Sequence, residues 1–174
     1  MVWAAVVLAV VAVRSADATG LRLSRTITSS MVMQAEQPTV FGWANPGAKV
    51  RVSTSDGETV TVTAAGPALN GSWLARLTPR PAKILPTGIA VTIVSGADTV
   101  TLTDVLFGDV WVCSGQSNME FSVSEAFDRD AIIAGSAIDG LRLFAVQKNS
   151  SSIELDDVVD VMTPGGGWAR SSRA

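Results

Sequence analysis

The segment VCSGQSNME, Val112 to Glu120, sets Ser117 in a turn that follows directly on an apolar run. Gly115 gives the backbone freedom to turn sharply there, and the N–H groups around Ser117 and Asn118, released from strand pairing, could converge on one point. Donors held in that way stabilise the oxyanion of an acyl-transfer intermediate, where loss of one typically costs about 10²–10³ in rate. The chemistry indicated is ester cleavage through an acyl-serine. Two features stand against it. Gly115-x-Ser117 lacks the closing glycine of a nucleophile elbow, so Ser-Gly-Gln-Ser also reads as a plain polar turn. The chain also contains no histidine, and a serine hydroxyl at neutral pH is a poor nucleophile without an adjacent base.

Other side chains do not fill that gap. Asp109 precedes the turn and Glu120 follows it, and both read as solvated or capping groups rather than as a base. Cys113, the lone cysteine, reads as a small buried apolar residue on a covered strand, with pairing to something outside the chain as the alternative. Asp156, Asp157 and Asp160 could attract a cation, but no neighbouring ligand set accompanies them. They read as a solvated acidic loop, and no metal is expected. Trp43 and Trp73 alternate as core residues do, although aromatic faces also stack on sugars. Met31 and Met33 alternate as strand residues.

The elements that must position the turn fall into two grammars. From Leu21 to Leu102 apolar residues recur with a period of two, interrupted at short intervals by turn residues, the pattern of half-buried antiparallel strands. Val50 and Val52 alternate with Lys49, Arg51 and Ser53, and Asp56-Gly57 turns the chain into Val60 and Val62, predicting a hairpin. Trp73, Ala75 and Leu77 alternate in the next segment. Ile89, Val91 and Ile93 are expected to pair with Val100 and Leu102 across Gly96-Ala97-Asp98. Seven or so such strands predict a small β-sandwich. After Asp104 the alternation fades. Asp109 to Cys113 is a mostly apolar run, as in a strand covered on both faces, Asp128 to Ala137 predicts a short helix stopped by Gly140, and Leu141 to Val146 predicts another strand. Together they predict a βαβ unit, the start of a parallel sheet in which Ser117 lies just beyond a strand's carboxyl end, where such sheets bind ligands.

Composition narrows the classes. Of 174 residues, 13 are basic and 16 acidic, a net charge of -3 that gives nothing to attract nucleic acid. Val2 to Val13 is an unbroken apolar run ending at Arg14 and the small-residue stretch Ala16-Asp17-Ala18, which predicts a signal peptide over residues 1–18. It falls short of the roughly 20 residues that cross a bilayer. The mature protein is therefore expected to be secreted or lumenal, extracellular or lysosomal, with no membrane segment after cleavage. A single cysteine excludes an internal disulfide framework. The triplets Asn70-Gly71-Ser72 and Asn149-Ser150-Ser151 make Asn70 and Asn149 candidate glycosylation sites. Nothing in the sequence sets an oligomeric state.

The stretch LFGDVWVCSGQSNM, Leu106 to Met119, resembles the serine block of the sialate O-acetylesterase family, a branch of the SGNH hydrolases in which GQSN replaces the commoner GDSL. MVMQAEQPTVFGWANPGAKVRV, Met31 to Val52, is similar to the β module of that family, and GSW (Gly71 to Trp73) and LRLFAV follow in the expected order. Lys83 to Gly88 departs from the family's glycine-rich turn. The resemblance implies a β-sandwich over residues 19–105, followed over 106–174 by the N-terminal part of an α/β hydrolase domain of SGNH type with a flavodoxin-like parallel sheet.

It also implies that Ser117 is the acyl-accepting nucleophile, with its own N–H in the oxyanion hole, and that Gly115, Gln116 and Asn118 shape the turn. The substrate implied is an O-acetylated carbohydrate, hydrolysed without a cofactor. The family's further oxyanion donors, its aspartate and its histidine come from later blocks of a longer chain, so the expectation is an N-terminal fragment, inactive alone. Losing an essential triad member costs about 10⁶ in turnover, roughly 8 kcal/mol. Two rivals remain at this stage: a secreted, non-catalytic carbohydrate-binding or adhesion sandwich in which the serine turn is a relic, and a truncated gene product with an exposed parallel edge after Val146.

Overall fold

The computed structural model describes residues 20–82 and 88–171. The expected signal peptide, residues 1–18, lies outside the described residues, as does most of the stretch from Lys83 to Gly88. Among the described residues the first half carries β1 (Arg22–Leu23), β2 (Val32–Gln34), β3 (Thr39–Trp43), β4 (Lys49–Thr54) and β5 (Thr59–Thr63). They are followed by β6 (Ser72–Arg76), β7 (Ile89–Ser95) and the long β8 (Asp98–Gly108). β1, β3 and β6 form an antiparallel sheet, and β2-β8-β7-β4-β5 form a curled mixed sheet.

The alternation read from the sequence becomes strand pairing in this half. Val50 faces Val62 and Val52 faces Val60 across the β4–β5 hairpin, and its turn glycine, Gly57, adopts a φ of 103°, which side-chain-bearing residues rarely reach. Val91 pairs with Leu102 and Ile93 with Val100 in β7–β8, as expected, while Ile89 reaches Val105 through an irregularity in register. β2 adds a parallel pair that alternation does not announce: Val32 aligns with Leu106 and Met33 with Phe107. Both sheets contribute to one buried cluster, Val40 and Ala75 from the smaller and Val50, Val52, Val91 and Ile93 from the larger, all fully covered. Burying one such valine or isoleucine is worth about 1.5–3 kcal/mol.

Beyond Gly108 the chain is built differently. Short 3₁₀ turns at Ser117–Glu120 and Val123–Glu125 precede α1 (Arg129–Ala134), then β9 (Arg142–Leu143) and β10 (Ala169–Arg170). β9 and β10 pair antiparallel, and an antiparallel bridge joins Val146 to Val161.

Three expectations for this half are corrected. Asp109 to Cys113 is not a strand, and every residue from 109 to 125 is exposed. A strand covered on both faces needs neighbours to take its N–H and C=O groups and its side chains, and among the described residues none lies alongside. The segment Leu141 to Val146 pairs antiparallel with the tail instead of parallel with 109–113, so no βαβ unit forms among the described residues. The exposed parallel edge expected there is absent for the same reason. The helix appears within its expected span, shorter, with Gly135 as its C-cap.

Candidate functional site

Ser117 opens its 3₁₀ turn with Gln116 as an extended cap (φ −99°, ψ −155°), and the turn closes through Met119 N–H to Gln116 C=O at 2.9 Å and Phe121 N–H to Asn118 C=O at 3.2 Å. In the next turn Ser122 N–H donates to Glu125 Oε2 at 3.1 Å, the carboxylate arm of a capping box, and Glu125 N–H closes the turn on the Ser122 carbonyl at 3.0 Å. Those bonds take the N–H groups of Met119, Phe121, Ser122 and Glu125 and spare those of Ser117 and Asn118. Among the described residues nothing bonds to Ser117 Oγ, to the Ser117 N–H or to the Asn118 N–H, and all three belong to exposed residues. The chemical capacity is that of an exposed hydroxyl beside two uncommitted backbone donors.

Gly115 lies outside the left-handed region, and a Cβ there would meet Met119 Cγ at 3.0 Å, so the half-exposed Met119 side chain would have to give way. Cys113 is an exposed free thiol rather than a buried apolar residue, because the strand that would have covered it does not form. Trp111 likewise stands 84% exposed. Glu120 is engaged by Lys148 Nζ, and Asp109 is exposed with no partner among the described residues. Neither is poised as a base for Ser117. Asn70 is exposed in a left-handed conformation (φ 52°) that closes the Pro67–Leu69 turn, and Asn149 is exposed in the tail.

Two charged clusters that tie the β half to the later segments escaped the sequence. Asp104, itself at a φ of 57°, accepts from Gly88 N–H at 3.2 Å, from Arg170 Nη2 at 2.9 Å and from Arg142 Nη2 at 3.4 Å. Desolvation by burial pushes its carboxyl pKa up, but the Gly88 N–H bond and the two guanidinium groups outweigh it and hold the group below the usual carboxylate value. Gly88 must be glycine, since a Cβ would lie 2.4 Å from the Asp104 carbonyl carbon. Asp157 is the second centre. It accepts from Ser24 Oγ at 2.8 Å, Arg25 N–H at 3.0 Å and Arg22 Nη1 at 3.3 Å, with its side chain 12% exposed. The solvated acidic loop expected at Asp156–Asp160 is therefore corrected at Asp157, which is docked. Asp160 stays exposed, 3.7 Å from Arg25 Nη1. Partners more than a hundred residues apart leave no local trace; the one signal available was the concentration of Arg22, Ser24 and Arg25 in a turn otherwise without a role.

Grooves lie away from the serine. One of about 360 Å³ is lined by Leu23, Ile27, Thr28, Val100 and Leu102 among others, and one of about 290 Å³ by Arg25, Gln147, Lys148, Asn149, Val159 and Asp160. No group of three or more histidine, cysteine or acidic side chains among the described residues is placed to hold a metal ion.

Two packed sheets followed by an exposed serine turn point to a class, and comparison supplies it. The fold matches a crystal structure of a carbohydrate acetylesterase from Xanthomonas citri with a TM-score of 0.73 and 28% identity, covering 87% of this chain and 33% of that one. The relatives in sequence are narrower. Sialate O-acetylesterase from Mus musculus is 34% identical over 92% of this chain and 31% of its own length, and that from Homo sapiens 32% identical over 82% and 28%. The chain is a homologue of the sialate O-acetylesterases, the family indicated by Leu106 to Met119. It spans about a third of the length of the relatives it matches. No protein-family model matches it.

Proposed function

We propose that this chain carries the nucleophile of a carbohydrate O-acetylesterase, with Ser117 attacking the acetyl carbonyl. The hydroxyl proton passes to a base, the sugar oxygen leaves with a proton, and water then releases acetate from the acyl-serine. The observation that carries this reading is the Ser117 turn itself: an exposed serine with two N–H groups that no described residue engages, in a homologue of sialate O-acetylesterases. Gly115, Gln116 and Asn118 shape the turn, and the Ser117 N–H is an oxyanion donor.

With no histidine in its 174 residues, the chain by itself holds no imidazole to take the proton, and we propose that it is inactive alone. The β half serves as a sandwich-type module. Residues 106–174 contribute to a hydrolase domain of SGNH type. The protein follows the secretory route to an extracellular or lysosomal site, with glycans on Asn70 and Asn149.

Acetate release from O-acetylated sialic acid tests the proposal. The product of the natural transcript is expected to hydrolyse it and to lose about 10⁶ in turnover on Ser117→Ala, while the 174-residue chain alone stays at background. Hydrolysis that survives Ser117→Ala overturns the nucleophile assignment. Serine-dependent turnover by the 174-residue chain at the rate of intact hydrolases overturns the requirement for an outside base.

A further inference from the structure

Segment 157–170 touches both halves of the molecule. Toward the β half Asp157 accepts from Ser24 Oγ and Arg25 N–H, Arg25 also reaches the Val159 carbonyl and Asp160, Trp168 Nε1 donates to the Thr26 carbonyl at 2.9 Å, and Arg170 pairs with Asp104. The approach is close. The Trp168 N–H donates to Thr28 Oγ1 at 3.1 Å, and a Cβ on Gly167 would stand 2.6 Å from that oxygen. Toward the serine-bearing half the same segment is paired along its length. Met162 N–H donates to Ala145 C=O at 2.7 Å, Gln147 N–H to Asp160 C=O at 3.1 Å, and β10 pairs with β9. Trp168 also packs its ring on Phe144, with centroids 5.4 Å apart. Just beyond this pairing Lys148 reaches Glu120, the last residue of the Ser117 turn.

The region between has little hold of its own. Every residue from 109 to 125 is exposed, and among the described residues one hydrogen bond at its start, Val110 N–H to Gln34 Oε1 at 2.8 Å, ties it to the β half. Covered charge-assisted bonds such as those of Asp157 are worth about twice a neutral hydrogen bond, whereas an exposed pair such as Lys148–Glu120 is worth little. The strap, rather than the covalent run through 109–116, is what has two firm ends.

We infer that residues 157–170 are a strap that sets where the Ser117-bearing half sits relative to the β half, and that Asp157 is its positioning residue. The functional meaning of that position rests on the reading of Ser117 as the nucleophile; the mechanical claim does not.

With Cys113→Ser removing the native thiol, nitroxides on Gln147→Cys, an exposed position beside the pairing with Asp160, and on Thr61→Cys, an exposed position of the β5 edge, report the separation of the two halves by pulsed electron resonance. The parent is expected to give one narrow distance distribution, and Asp157→Asn to widen it at least twofold with the β signature in circular dichroism retained. Trp168→Phe, which keeps a ring on Phe144 but removes the bond to Thr26, is expected to widen it less, and it decides the matter if Asp157→Asn does not fold. Unchanged widths overturn the strap. Ser117→Ala is expected to leave the distribution unchanged, so hydrolysis that survives Ser117→Ala would sink the catalytic reading and leave the strap standing.

Discussion

The β half and the serine-bearing half divide the physics of this protein unequally. In the first, Val40, Val50, Val52, Val91, Ile93 and Val105 are completely covered; in the second, Val112, Phe121 and Phe127 stand 92%, 62% and 108% exposed. Both halves are apolar enough to bury a core. What differs is whether the partners lie within reach. An alternating strand buries one face against a neighbouring sheet and leaves the other to water, so a hairpin and its sequel can complete it locally. An unalternating run needs cover on both sides, and among the described residues nothing covers 109–113.

The largest effects that would sharpen this contrast come from the core. Ile93→Ala is expected to cost about 2–5 kcal/mol of unfolding free energy, read as a lowered urea midpoint with unchanged slope, because Ile93 is fully buried between β4 and β8. Gly71→Ala should be similarly severe: Gly71 sits at a φ of 68°, and a Cβ would fall 1.9 Å from the Ala44 carbonyl oxygen. If Ile93→Ala costs less than 1 kcal/mol on this scale, the buried cluster is not the source of stability and the comparison fails.

The same contrast explains what could be read in advance. The β4–β5 hairpin and the β7–β8 pairing were legible because Val50/Val62 and Ile93/Val100 announce themselves by period and by Asp56-Gly57 and Gly96 between them. The parallel pairing of Val32 with Leu106 was not, since nothing local distinguishes a parallel from an antiparallel neighbour. At the site, Ser117 and the turn around it were legible as a polar turn at the end of an apolar run. The fate of Asp109 to Cys113 was not, because burial of that run depends on chain lying elsewhere. Asp104 and Asp157 were illegible for a related reason: each acts through arginines or hydroxyls far off in sequence, and an isolated aspartate looks solvated until its partner is placed.

Asp104 supplies an intermediate effect and a pH signature. Asp104→Asn weakens its bonds to two arginines, one of them the nearly buried Arg142, and is expected to cost about 2 kcal/mol at pH 7. The folded-state pKa lies below the ordinary carboxylate value, so the unfolded state binds the proton more tightly. The contribution is therefore fully present above the unfolded pKa and is lost as pH falls through the folded one. Urea titrations of parent and Asp104→Asn should thus differ at pH 7 and converge toward pH 2. A gap that persists undiminished there would mean that Asp104 acts through shape rather than charge.

The smallest effect tests the other side of the comparison. Phe127→Ser removes a large apolar side chain that touches solvent on every side, so unfolding free energy should move by no more than about 0.5 kcal/mol. A buried phenylalanine would cost several times that. What should change is association: Trp111, Val112, Phe121 and Phe127 crowd exposed apolar surface into one stretch of chain, and such surface drives contacts between molecules. Light scattering at rising concentration is expected to show less self-association for Phe127→Ser, and less again with Trp111→Ser added. A loss of stability from Phe127→Ser comparable to that of Ile93→Ala would show that the serine-bearing half buries a core of its own, and the unequal division between the halves would have to be abandoned.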